Sequence, residues 1–399
     1  MVLKIIWKEI AERNYQKLSI NRFKGEKMVS NRILILFPYE ININNGGPSG
    51  FLAHNLLDKP RDCFVLSQDI VKTHPEKITK KIDYLTKRIL FLWKNKGKDK
   101  RKLKEEFFYK YYFEKIKAEN YKYIFFHETV HLERFRKYIS KKQIIILQSH
   151  SPEIPSVEYR NWAPLNTEEI SFREKAEREA FRRADIIVFP NKECVSIYET
   201  LITDKSKIKY ILSGAKKNYN NGEQNNYKLP EDKINLMYIG RRNKIKGFDI
   251  VLETFRKVRE KRKDINLIII GNGEKIEEEG IIDIGFSKNP IGWYNSADYL
   301  INANRQSYFD LSIIEALTTG IPIIMSDNFG HSYYKGKSSL IKTFDVKSPD
   351  ELYKILTGDL KKRDYEKTEN IELYENNLTD DCYYERFKKF AGEIMYTEK

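Results

Sequence analysis

Arg241 and Lys246 stand five positions apart on one short loop, after an apolar run that ends at Gly240 and before a helical pattern that opens near Gly247. Two cations beside the positive end of a helix make a place for a diphosphate, since the free N–H groups of the first turn and both side-chain charges act on one point. Taken by itself the segment reads equally well as an exposed basic turn. Further on, a polar loop from Asn304 runs into a short apolar helix that carries Glu315 and ends at Gly320, and Pro322 leads into the strand 321–325. A carboxylate in the first turns of such a helix can chelate two neighbouring hydroxyls, such as those of a ribose. Ser312-x-x-Glu315 is also a capping box, which would only satisfy backbone N–H groups.

Together the two segments resemble the retaining glycosyltransferases of family 4, which have the GT-B fold. The resemblance runs from about Arg32 to Phe390 and is stronger in the C-terminal half. It implies that an Arg-x4-Lys pair, here Arg241 and Lys246, holds the donor diphosphate. The second Glu of a Glu-x7-Glu motif, here Glu315, would hold the nucleotide ribose. Ala316, Gly320 and Pro322 fit the same run. The first Glu of the motif, which in the family touches the donor sugar, falls on Ser307, and the Gly that follows the motif's Phe309 falls on Asp310. By the resemblance Ser307, Phe309 and Asp310 belong to the donor site. Two readings of Asp310 stand: it supplies the missing carboxylate from another angle, or it caps the helix, the commoner role for Asp at such a position.

The N-terminal half offers fewer candidates. Gly46 and Gly47 lie between the first strand and the first helix, where glycine lets backbone N–H groups approach a phosphate or sugar. They are also ordinary turn residues. The resemblance matches them to a Gly-Gly that many such enzymes carry at this point, which implies a donor-binding role. His127 and His150 each follow a buried-looking strand. The family often places a His near the reacting sugar after the strand matching 144–147, which selects His150 as a neutral hydrogen-bonding imidazole. Neither His has the spacing of a metal pair. Phe286 lies near the family's base-binding edge, to stack on the nucleobase or to pack in the sheet.

Positioning these residues requires parallel sheets. Apolar runs at 33–37, 63–66, 123–126, 144–147, 185–189 and 208–212 alternate with helical patterns. The pattern restarts with runs at 234–239, 265–270, 281–284, 299–301, 321–325 and 340–344. Strands alternating with helices argue for α/β sheets covered on both faces. The expected fold is GT-B: two Rossmann-like, doubly wound domains facing across a cleft, with ligands at the carboxyl ends of the strands. Expected boundaries are a basic extension at 1–27, with Met28 as an alternative start, and an acceptor-side domain at 28–215. A linker at 216–231 and a nucleotide-sugar domain at 232–380 follow, then a C-terminal helix at 381–399 that returns to the first domain.

The chain has 399 residues, room for two domains, and a formal charge of +15 that favours an anionic partner. No helix-turn-helix, zinc finger or RNP-type motif supports nucleic acid. No apolar run spans a membrane and no leader precedes a cleavage site, so a cytoplasmic place is expected. Cys63, Cys194 and Cys382 are few and scattered, which suits a reducing compartment. Residues 93–118 join a Lys-dense stretch to Phe107-Phe-Tyr-Lys-Tyr-Tyr-Phe113. Such a segment either meets an anionic membrane peripherally at its inner face or buries one aromatic face in the core. The implied function is retaining transfer of a sugar from a nucleoside-diphosphate donor to a glycan, lipid-linked or protein hydroxyl acceptor, in surface polysaccharide or related synthesis. Neither cofactor nor metal is expected for the chemistry. The alternative is a non-catalytic GT-B-like subunit that binds nucleotide sugar or glycan beside a partner enzyme, suggested by Ser307.

Overall fold

The computed structural model describes residues 30–72, 78–95, 97, 99–162, 166–217 and 228–396. The extension expected at 1–27 and most of the linker expected at 216–231 lie outside them.

Six strands form the first sheet: β1 (Ser30–Ile35), β2 (Phe64–Leu66), β3 (Tyr121–Phe126), β4 (Ile144–Leu147), β5 (Ile186–Phe189) and β6 (Ile208–Tyr210). Their spatial order is β2-β1-β3-β4-β5-β6, and every neighbouring pair is parallel. The second sheet contains β7 (Ile234–Ile239), β8 (Ile265–Ile270), β9 (Ile281–Gly285), β10 (Tyr299–Asn302), β11 (Ile323–Ser326) and β12 (Ile341–Phe344). It is ordered β12-β11-β10-β7-β8-β9, again parallel throughout.

These strands read as unbroken apolar runs because both faces of each sheet are covered. In β1, Ile33 and Ile35 enter one core while Leu34 enters the core on the opposite face. In β8, Ile265, Leu267 and Ile269 face one side and Ile268 and Ile270 the other. Period-two alternation thus feeds two apolar layers at once. The aromatic run behaves as a core element: helix Lys100–Lys115 buries Phe107, Tyr109, Tyr112 and Phe113.

The C-terminal helix Asp380–Tyr396 belongs to the first core, where Tyr383, Phe387 and Phe390 pack with Ile33, Phe64 and Phe125. The Tyr123 hydroxyl donates to the Ile394 carbonyl at 3.0 Å, and Tyr384 to Pro60 at 3.0 Å. The chain therefore crosses between the sheets twice.

In both sheets the order reverses beside one strand. β1 lies between β2 and β3, and β7 between β10 and β8. Crevices open at such reversals, outside the carboxyl ends of the strands. The loops after β1 and β3 and those after β7 and β10 are therefore where the two sheets can present a ligand site.

Candidate functional site

The loop after β7 sorts its two arginines into different roles. Arg242 is nearly buried and grips Asp283 on β9 through two bonds, one of 2.7 Å, while its Nε donates to the Gly271 carbonyl at 3.0 Å. Arg241, by contrast, keeps 58% of its side chain exposed and reaches over to Glu158 of helix Pro155–Trp162 at 3.6 Å. One guanidinium staples the sheet end. The other stands in the gap between the sheets.

Gly247 closes the loop and opens helix Phe248–Lys261. Its φ is +63°, and a Cβ there would lie 1.9 Å from the Ala303 carbonyl oxygen. Only glycine permits both the left-handed backbone and that approach. The loops after β7 and β10 are thereby pressed together, and Arg305 ties them further with two bonds to Asp249, at 2.6 and 2.7 Å.

Lys246 points into this junction and donates to Asp310 Oδ1 at 3.1 Å. Asp310 Oδ2 meets His331 Nε2 at 3.0 Å and also accepts from the Asn304 amide. His331 Nδ1 in turn contacts the Ser326 hydroxyl at 3.0 Å. Burial alone would raise the Asp310 pKa, but the Lys246 charge and the His331 contact hold it well below the usual carboxylate range. Asp310 is the residue before helix Leu311–Leu317, yet its side chain makes no capping bond. Of the two roles open from sequence, the geometry rejects the cap.

Ser307 faces inward. Its hydroxyl contacts the Asn328 carbonyl at 2.8 Å and side-chain oxygen at 3.1 Å, and accepts from the His331 N–H at 3.0 Å. Tyr308 enters the first core, its carbonyl accepting from Cys194 Sγ at 2.6 Å, whereas Phe309 stacks on Tyr334 in the second core at 5.4 Å. Consecutive residues thus pin the loop to both sheets, and the Phe309 ring serves packing.

Ser312 lies inside the helix rather than at its start, so the expected capping box does not form. Glu315 approaches His54 Nε2 of helix Gly47–Asn55 at 3.8 Å, between the two halves of the molecule. Burial pushes the Glu315 carboxyl up to about 7. Burial first, and then the nearby Lys216 charge, lowers His54 to about 4. The Lys216 N–H lies 3.3 Å from His54 Nδ1, which leaves the imidazole proton on Nε2, toward Glu315. His54 and Glu158 escaped the sequence reading because neither stands in a recognisable motif. The Asp310 and His331 pairing is likewise long-range and has no local signal.

On the facing side Gly46 precedes the helix and Gly47 opens it with φ +63°; no atom lies within 4 Å of where a Cβ would sit on either. Both are exposed. His127 and His150 form a pair, Nδ1 to Nε2 at 2.9 Å, after β3 and β4. Burial lowers His150 to about 3 and His127 well below its ordinary value, so both rings are neutral. His150 packs 4.5 Å from the Phe51 ring and 6.0 Å from Tyr308. Phe286, after β9, is 66% exposed and so lies outside the sheet's core. Among the described residues no three of His, Cys, Asp and Glu gather as metal ligands, and no helix is long and apolar enough to cross a membrane.

Residues 233–356, the stretch that holds every side chain placed around Lys246, match the profile of the family described as Glycosyl transferases group 1. That stretch is similar to this family. It is 26% identical to the Escherichia coli O-antigen biosynthesis glycosyltransferase WclY over 199 residues, 45% of this chain and 53% of that protein. It is 25% identical to the D-inositol 3-phosphate glycosyltransferase of Arthrobacter sp. (strain FB24) over 132 residues, 28% of this chain and 31% of the relative. The matched stretch thus spans about half the length of WclY, and less of the other. In fold, the chain is similar to sucrose-phosphate synthase from Thermosynechococcus elongatus, with TM-score 0.55 and 15% identity over 72% of this chain and 78% of that one. It also resembles Anabaena HepE, solved in complex with UDP, with TM-score 0.53 and 13% identity over 69% and 80%. The architecture is GT-B.

Proposed function

We propose that the chain transfers a sugar from a nucleoside-diphosphate donor to a hydroxyl acceptor, with retention at the anomeric carbon. The observation that carries this is a pair of approaches across the gap. Arg241 meets Glu158, and Glu315 meets His54, so the loop after β7 and the Glu315 helix each reach across to a helix of the first sheet's half.

Departure of the diphosphate is the hard step, because negative charge builds on the leaving oxygens. Arg241 would fork to two of them from the open side of the gap, and Lys246, preorganised where water is partly excluded, would act as a point charge. The Asp310, His331 and Asn304 cluster fixes the Lys246 ammonium so that little is reorganised during the reaction. Glu315 would chelate the ribose hydroxyls. Gly46 and Gly47 would let the donor approach the first domain's backbone, and Phe286 would stack on the base. His150, held neutral, would hydrogen-bond the sugar and need not move a proton.

Asp310 takes the place of the carboxylate absent at Ser307, since it is the acidic group beside Lys246. WclY is named for O-antigen synthesis, which supports a surface-glycan acceptor. Three unpaired cysteines suit a cytoplasmic site of action. The test is to incubate the protein with a panel of nucleoside-diphosphate sugars and monitor donor consumption by NMR. Release of an α- or β-sugar matching the donor anomer supports retention. Inertness toward every donor, together with binding of one, would favour the non-catalytic subunit.

A further inference from the structure

Helix Ile78–Lys94 carries a surface that the proposed reaction does not use. Leu85, Ile89 and Trp93 recur every four residues and are 50%, 65% and 58% exposed. Four-residue spacing aligns them in one stripe along the helix. The other side of the helix packs on Lys100–Lys115: Tyr84 and Phe91 lie 5.3 and 5.5 Å from the Phe107 ring. The stripe therefore points away from the body of the protein.

The hairpin that carries it is strongly basic in sequence. Between residues 78 and 115 the sequence has thirteen Lys and Arg against five Asp and Glu, eight of the chain's fifteen excess positive charges. Three apolar side chains on one helix are too few for the core of a stable protein interface. A narrow apolar stripe on a helix that also carries Lys87, Arg88 and Lys94 instead suits the boundary between acyl chains and anionic headgroups.

We infer that this helical hairpin docks the protein on an anionic lipid surface, with Leu85, Ile89 and Trp93 entering the headgroup boundary. The hairpin is joined to the candidate site, because the Tyr109 hydroxyl lies 3.2 Å from that of Tyr39 in the loop that leads to Gly46. Docking there brings the first domain's side of the gap toward the bilayer, where a lipid-linked hydroxyl would be met. The lipid contact itself stands apart from the proposed catalysis and is measured without any donor.

The experiment is flotation of the full chain with vesicles of phosphatidylcholine alone and of phosphatidylcholine mixed with phosphatidylglycerol. Binding to the mixed vesicles only, weakened by salt, is expected. Leu85→Glu/Ile89→Glu/Trp93→Glu should abolish it, and Lys87→Glu/Arg88→Glu should weaken it about tenfold. Trp93→Phe should remove the vesicle-induced blue shift of tryptophan emission while leaving flotation largely intact. Circular dichroism and nucleotide binding of each variant report folding. Absence of flotation, equal flotation with both vesicle types, or a triple variant that folds and still floats would each overturn the inference. So would a wild-type dimer that the triple variant converts to monomer, since the stripe would then bury a second copy.

Discussion

Lys246 and Asp310 are joined at 3.1 Å, from loops 64 positions apart in sequence, in a pocket that leaves about a fifth or less of either side chain exposed. The pair links the loop after β7 to the start of the Glu315 helix. Its chemistry depends on both partners, and its removal should be felt in two ways.

Lys246→Ala leaves the Asp310 carboxylate buried with only His331 and Asn304 as partners. Loss of one partner of a buried pair costs roughly 2–4 kcal/mol, so the variant should melt lower yet still fold. Because the Asp310 pKa is depressed, the pair's stabilisation is present above the ordinary carboxylate range. It is lost as pH falls through the lowered folded value. Thermal melts of wild type and variant should converge on acidification. Parallel curves at every pH would contradict the pairing.

Arg241 and Arg242 adjoin in sequence and should separate in experiment. Arg241→Ala removes an exposed side chain and should change stability by less than about 0.5 kcal/mol while weakening nucleoside-diphosphate binding. Arg242→Ala breaks a buried two-bond bridge to Asp283 and should destabilise by about 3 kcal/mol. Urea denaturation and calorimetric titration on both variants check the split. The opposite pattern would reassign the loop.

Glu315 is raised to about 7 by burial. Between its unfolded value and about pH 7 the folded state binds the extra proton, so this carboxyl's contribution to stability falls as pH rises across that window and stays flat above it. Glu315→Gln should therefore stabilise the ligand-free protein above pH 7, by up to about 3 kcal/mol, while weakening nucleotide binding. Nucleotide affinity of the wild type should drop as pH is lowered through about 7, because a ribose is chelated by the carboxylate. Destabilisation by Glu315→Gln would instead indicate a structural role.

Much of this organisation could be read from the chain. Both sheets were legible because their strands are continuous Ile-rich runs, and the Arg241–Lys246 loop because a glycine turn separates strand from helix. The fate of Asp310 and Ser307 was not legible. Both depend on Asn328 and His331, which follow β11 and come close only once β10 and β11 pair. Helix Ile78–Lys94 also escaped notice, since burial of its partner's aromatic face decides which of its own residues remain outside.

Gly247→Ala should be poorly tolerated, since its Cβ would clash with the Ala303 carbonyl and its φ is positive. A loss of at least about 2 kcal/mol is expected, with weaker nucleotide binding as the two loops separate. A fully stable variant with wild-type affinity would show that their close approach is dispensable.

The central claim concerns the diphosphate. A panel of UDP, GDP, ADP, CDP and dTDP, each beside its parent nucleoside, should be titrated calorimetrically into wild type and Arg241→Ala/Lys246→Ala. The account predicts that one diphosphate binds the wild type far more tightly than its nucleoside, and that the double variant, still folded, erases most of that advantage. Retention of the full difference by the double variant would contradict it.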